Sequence, residues 1–353
     1  LSGPASFVSV PSGLASSQLL VRASRTRPGQ LALRVRRRVR PVAGPPFAPN
    51  VIETDRYDVV HFPSQLGEAT RHPTIYQPWD LQHLHHPQFF TSDQLQTRAA
   101  VYRPCCERAR FVLVASHFVR DDVVDAFGIE PDRVAVVPPG APTALHETPP
   151  SYDAVPSSPF ALYPAQAWKH KNHIRLLDAV ALLRDRGTTV PVVCPGQPNL
   201  RLREVRRHAA GIGVDHLVTF PGHVSDAQLA GLYERARCLV FPSLFEGFGF
   251  PVLEAFMAGL PVACASATSL AELAGPAAIQ FDATSTESIA AALHEVWEDD
   301  ARRDELVSLG RARASRYTWE HLARSCRALY RAAAALPLEA SDRTLLEAAG
   351  ASA

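Results

Sequence analysis

Two glutamates, Glu246 and Glu254, stand eight positions apart in the run FEGFGFPVLEAF, Phe245–Phe256. An apolar segment ends at Pro242 and Ser243. A loop with Gly247 and Gly249 follows, and Pro251 falls where the first turn of a helix tolerates proline. Glycines let backbone N–H groups come close to a ligand, and a helix N-terminus attracts phosphate. Each carboxylate can accept several hydrogen bonds, which suits the hydroxyls of a sugar or a ribose. With Glu246 on the loop and Glu254 about one turn inside the helix, both can face one pocket. The plainer reading is a strand–helix corner whose glutamates are solvated.

Lys171 is a further candidate. The chain has 36 Lys and Arg residues, and its only lysines are Lys169 and Lys171. Lys171 lies just past a strand end, which singles it out from an ordinary surface lysine. The loop YQPWDLQHLHHPQFF, Tyr76–Phe90, gathers Asp80, His83, His85 and His86 after a strand. Histidine and aspartate ligate zinc, but this cluster carries no clear pattern of supporting partners, so no metal site is expected. A loop histidine that merely packs is the other reading. His117, in SHFVRDD, reads as the start of a helix. No G-x-S-x-G elbow and no GxxxxGK(S/T) loop occurs in the chain.

These residues need elements to hold them, and an α/β rhythm supplies them from Tyr57 onward. Strands are expected at Tyr57–Phe62, Thr74–Gln77, Phe111–Ser116 and Arg133–Gly140, with helices over Ser92–Arg110 and His117–Gly128. Residues 141–158, rich in Pro, Ser and Thr, read as a linker. The rhythm then resumes. Strands are expected at Phe160–Ala165, Val190–Gly196, His216–Gly222, Cys238–Ser243 and Leu260–Ser266. The intervening helices include one capped by Ser225. Strands alternating with helices imply parallel sheets covered on both faces. The expected division is a first domain over 1–150, a second over 151–335 and a tail over 336–353. The first strand of the first domain is read as cut away.

Composition narrows the rest. The chain has 353 residues, 46% hydrophobic and 20% charged, with a net charge of +1. That supports two packed domains and argues against a nucleic-acid partner. No apolar run reaches ~18 residues, and the opening does not read as a signal peptide. The six scattered cysteines read as reduced thiols of a cytoplasmic protein. Leu31–Pro41, LALRVRRRVRP, reads as a short amphipathic helix. It suits peripheral contact with the anionic inner face of a membrane, or else a solvated surface.

E-x7-E within FEGFGFPVLEAF resembles the signature of retaining GT-B glycosyltransferases of family 4, the glycosyl transferases group 1. YPAQAWKHKNHIRLLDA (Tyr163–Ala179), FPGHVSDAQLAGLYERARCLVFPS (Phe220–Ser243) and LPVACASATSLAELAGPAA (Leu260–Ala278) extend the likeness, which covers residues 57–335. The resemblance implies a GT-B fold: two Rossmann-like parallel-sheet domains facing a cleft, with a C-terminal helix reaching back to the first domain. It implies a hexosyltransferase of polysaccharide biosynthesis that moves a sugar from a nucleotide-sugar donor to an acceptor hydroxyl, with a weak lean to GDP-mannose. No cofactor is implied beyond the donor as substrate; the acceptor would be a sugar or a lipid-linked sugar.

By the same resemblance Glu254 bonds the ribose hydroxyls and Glu246 contacts the donor sugar. Phe248 and Gly249 offer backbone N–H groups, and Val224 and Gly247 complete the donor wall. Lys171 aligns with the lysine that grips the diphosphate, while the usual arginine falls on Gln166. Where the family has His-Asp, this chain has Trp79-Asp80, which leaves His83 as the histidine near the reacting centre. The family's Gly-rich first loop is not found in residues 1–56. A GT-B epimerase and an inactive nucleotide-sugar binder are the rival readings.

Overall fold

In the computed structural model, residues 57–141, 156 and 158–352 are described. The segment Leu31–Pro41, the search for a Gly-rich loop in residues 1–56 and most of the expected linker lie outside them. The chain divides into two compact units: one runs to Val137 and resumes at Leu322, and the other is Pro138–His321.

Among the described residues the first unit has four strands, β1 (Val60–Phe62), β2 (Thr74–Tyr76), β3 (Phe111–Val114) and β4 (Val134–Val136), in the order β1-β2-β3-β4. All three pairings are parallel. Side chains alternate across a strand, so FVLV in β3 serves two cores at once. Val112 and Val114 join Tyr102, Val119 and Val123 of the helices Ser92–Arg108 and His117–Phe127. Phe111 and Leu113 face Ala328, Leu329 and Ala332. Thr91 and Ser116 cap the two helices with side-chain hydrogen bonds, and left-handed Gly128 ends the second.

The expected division places helix Trp319–Ala333 in the second domain and 336–353 in a tail, while the GT-B resemblance implies a C-terminal helix that reaches back to the first domain; the second face of that sheet follows the latter. From Leu322 onward the chain packs on the first unit's sheet, and Leu346 of helix Ala340–Ala348 joins the same cluster. A parallel sheet buries both faces, and the intervening helices cover one of them. The small residues Ala328, Ala332 and Ala333 let the returning helix cover the other closely.

Among the described residues the second unit carries six strands: β5 (Ala161–Leu162), β6 (Val192–Pro195), β7 (Val218–Gly222), β8 (Cys238–Phe241), β9 (Val262–Ala265) and β10 (Ala278–Phe281). Their order is β10-β9-β8-β5-β6-β7, and every pairing is parallel. The chain winds outward from β5 in one direction and from β8 in the other. Open α/β sheets bind ligands beyond the carboxyl ends of the strands where the order reverses. Here that point is the β5/β8 junction. Ser225 caps helix Asp226–Arg235 in a capping box with Gln228, as its position suggested.

Candidate functional site

Lys171 follows β5 and Glu246 follows β8, so the switch point brings together residues 75 positions apart. The Lys171 ammonium donates to Glu246 Oε1. The same oxygen accepts from the Ser243 hydroxyl at 2.6 Å. Lys171 Nζ also lies 5.3 Å from the centroid of the Phe241 ring, the last residue of β8. The side chains of Lys171 and Glu246 keep 17% and 15% of their surface exposed. They are sheltered enough for the charges to matter and open enough to meet a ligand.

The Lys171 loop is fixed from below. Tyr163, fully buried after β5, donates its hydroxyl proton to the Lys171 carbonyl. Asn172 takes φ +60°, a conformation that asparagine tolerates. Its side-chain amide donates to the carbonyls of Pro242 at 3.1 Å and Ala283 at 2.8 Å. One residue thus ties the turn after β5 to the ends of β8 and β10. His173 opens the next helix, buried against Tyr163. Burial pulls its pKa down to about 4, so it is a neutral part of the floor.

The glutamate loop meets helix Thr268–Ala274. Gly249 precedes helix Phe250–Ala258 at φ +115°, and a Cβ there would stand 2.6 Å from Leu270 Cδ2. The backbone angle favours glycine, and any Cβ would also have to push the Leu270 methyl aside. Phe248 is buried, edge-on to Phe250 and Tyr317. Val224 is buried as well, and Gln166 is half-buried just before the Lys171 turn. Glu254 takes a partner of its own: Tyr233 donates to its Oε2 at 2.6 Å. Burial raises the Glu254 pKa above the usual carboxylate value; the Tyr233 hydrogen bond opposes this, and Asp226 adds to it.

In the first unit His83 is buried, with 4% exposure, and its ring meets Tyr102 at 4.7 Å. Burial, assisted by Arg98, lowers its pKa to about 4. The neighbouring candidates disperse. Asp80 accepts from the Gln82 backbone N–H at 3.0 Å, His85 bonds Asp122 at 2.7 Å, and His86 stacks on Phe89. Among the described residues no three His, Cys, Asp or Glu side chains gather as metal ligands.

The sequence reading passed over Ser243, Thr268, Ser269 and Tyr233. Ser243 stood at a predicted strand end beside the glutamate run, and that position was its only signal.

Comparisons with known proteins place the chain in a family. A family model described as glycosyl transferases group 1 matches residues 147–313, and one described as glycosyltransferase family 4 matches residues 9–145. D-inositol 3-phosphate glycosyltransferase from Geodermatophilus obscurus is 30% identical over 324 residues, 83% of this chain and 70% of that protein. The chain belongs to the glycosyl transferases group 1 family. O-antigen chain mannosyltransferase B from Escherichia coli is 27% identical over 256 residues. That match covers 67% of this chain and 64% of the relative, so the chain spans less than two thirds of that protein's length. Among solved structures, sucrose-phosphate synthase from Thermosynechococcus elongatus aligns with a TM-score of 0.65 at 22% identity. It covers 78% of this chain and 73% of its own. The family's GT-B architecture is therefore the fold of this chain, with two parallel-sheet α/β domains. Among the described residues no helix is long and apolar enough to cross a membrane.

Proposed function

We propose that this chain transfers a sugar, with retention of configuration, from a nucleotide-sugar donor to an acceptor hydroxyl. The observation that carries the reading is the Lys171–Glu246–Ser243 cluster at the β5/β8 switch point. In the proposal Lys171 holds the diphosphate, Gln166 donates a hydrogen bond beside it, and Glu246 meets the donor sugar. Backbone N–H groups of Gly247, Phe248 and Gly249 face sugar and phosphate. Glu254 accepts from the ribose, and Val224 lines the donor. The bond from the sugar's anomeric carbon to the diphosphate breaks as the acceptor oxygen bonds that carbon on the same face. The acceptor's proton passes to the departing diphosphate. No protein nucleophile enters. The protein's contribution is a fixed positive field where negative charge develops, a role of this kind being worth about 10²–10³ in rate per donor.

His83 is the first unit's candidate near the reaction, as a neutral imidazole. The similarity to a protein named O-antigen chain mannosyltransferase B supports mannose as the donor sugar, and the family resemblance leans to GDP as its carrier. The cation role falls to Lys171, so transfer is expected to persist in EDTA. The six free cysteines favour a cytoplasmic setting. The basic segment Leu31–Pro41 would rest on the inner face of the membrane.

A thermal-shift panel of nucleotide sugars tests the reading. Binding at a hundredfold excess over Kd adds about 2.7 kcal/mol of stability. GDP-mannose should give the largest shift, and the anomeric configuration of the product, read by NMR, should match the donor. A panel with no shift overturns the proposal. Donor binding without turnover, at any acceptor supplied, supports the inactive binder instead.

A further inference from the structure

Thr268 is the first residue of helix Thr268–Ala274 and has φ +53°. For a β-branched residue the left-handed region is a genuine outlier, kept only where the surroundings over-determine it. Its surroundings point to Glu246. The Glu246 backbone N–H donates to Thr268 Oγ1 at 3.1 Å. The next residue, Ser269, is 1% exposed, and its hydroxyl shares its proton between the carbonyls of Glu246 at 2.8 Å and Phe248 at 3.0 Å. Glu246 is therefore held at three points: its N–H by Thr268, its carbonyl by Ser269, and its carboxylate by Lys171 and Ser243. Glycine would adopt the same backbone without strain, but it has no hydroxyl to offer the Glu246 N–H.

We propose that Thr268 is a positioning residue for Glu246: its left-handed backbone aims a hydroxyl at the Glu246 N–H, and Ser269 completes the clamp that sets the carboxylate's direction. The inference rests on the reading above in assigning Glu246 to the donor sugar. Thr268 acts through the loop and makes no contact with substrate. A rigid support of this kind matters because small displacements of a group near the reacting atoms cost rate.

The test uses the full chain and the variants T268V, T268S and T268G. Valine keeps the shape and loses the hydroxyl, whereas serine keeps the hydroxyl without the second branch. In hydrogen exchange followed by NMR, the Glu246 amide of T268V should exchange roughly 3- to 10-fold faster than in the wild type, as expected for one lost hydrogen bond. T268S should keep its protection. With the nucleotide sugar that binds best, kcat of T268V should fall by roughly the same 3- to 10-fold factor with little change in donor KM. T268S should restore it. Should T268V fail to fold, T268G removes hydroxyl and strain together. It should be folded, and as deprotected and slow as valine is expected to be. Wild-type exchange at Glu246 in T268V or T268G overturns the proposal, as does a T268S as impaired as T268V. If no nucleotide sugar binds the wild type, the functional reading fails, and the exchange pattern alone still decides whether Thr268 positions Glu246.

Discussion

The turn after β8 and the loop after β2 both present polar side chains beyond a parallel sheet, and they treat charge in opposite ways. After β8, Glu246 pairs with Lys171 from the turn after β5 and accepts from Ser243, and both ionisable groups keep some exposure. After β2, His83 is pressed against Tyr102 and held neutral, its pKa lowered to about 4 by burial first and Arg98 second. A pre-paired charge can stabilise charge developing on a ligand, because no reorganisation is needed at the moment of reaction. A desolvated neutral imidazole can shape a wall or share a hydrogen bond, but it supplies no field. In the proposed reaction the electrostatic work would therefore fall to the second unit.

The largest expected effect breaks the charged side. Lys171→Met should lower turnover about 10²–10³-fold, the usual loss for one donor aimed at developing charge. It should also lower stability, because Glu246 loses its cation in a sheltered place. The double change Lys171→Met with Glu246→Gln separates these effects. It should recover melting temperature and leave turnover low. Recovery of both in steady-state assays would mean that Lys171 only neutralises Glu246.

Glu254→Gln comes next, and stability and binding should move in opposite directions. The raised pKa means that the folded state binds the Glu254 proton more tightly than the unfolded state does. Stability from this group is therefore lost as pH rises from the ordinary carboxylate value through the raised one. A neutral side chain that still accepts from Tyr233 should raise the melting temperature at pH 7. Donor affinity should fall by about 1.5–3 kcal/mol, since a charged acceptor for the ribose hydroxyls is gone. Calorimetric titration beside thermal melts checks both. Unchanged affinity would remove Glu254 from the site.

Much of this contrast could be read from residue types. FVLV and CLVF announced fully buried strands, and the two lysines of the chain stood on one side of one predicted turn. The glutamate run was legible because Gly249 and Pro251 punctuate a strand–helix corner. What could not be read was conformational or long-range. Nothing in the letter of Thr268 reports a positive φ, since a β-branched residue avoids it, and Asn172 merely permits one; the packing around them fixes both. The pattern of Trp319–Ala333 says that the helix packs, but not on which sheet; its return to the first unit was expected from the GT-B resemblance alone and not from its own residues. His83 and His85 look alike in sequence. One is buried on Tyr102 and the other pairs with Asp122, a difference decided by which side of a one-turn helix each occupies.

The neutral side is sharpened by pH. With its pKa lowered to about 4, His83 stays neutral between pH 5 and 8, so the rate profile of His83→Gln should run parallel to the wild type across that range. Stability should respond instead. The unfolded imidazole takes up its proton near 6.5 and the folded one near 4, so the wild type loses stability as pH falls from 6.5 to about 4. His61 and His173, also near 4, add the same slope. Melting temperatures from pH 7 to 4 should show a shallower decline in His83→Gln. A wild-type rate inflection near pH 6.5 that vanishes in the variant would make His83 a titrating group and end the contrast.

The smallest effect tests whether the two regions are energetically separate. His61 in β1 pairs through Nδ1 with the Tyr330 hydroxyl at 2.8 Å, and the two rings meet edge-on at 5.6 Å. The contact ties the returning helix to the first unit's sheet. Tyr330→Phe keeps the ring and deletes the hydroxyl, leaving His61 Nδ1 without that partner. The cost should be about 1 kcal/mol, or roughly 2–4 °C in melting temperature for a domain of 150–250 residues. Because the loss falls on the first unit, hydrogen exchange should quicken in β1 and in Trp319–Ala333 while donor affinity of the second unit stays at the wild-type value. If donor affinity drops together with the melting temperature, the returning helix transmits strain to the charged turn. The charged and neutral regions would then have to be treated as one coupled device, not as two separate sites.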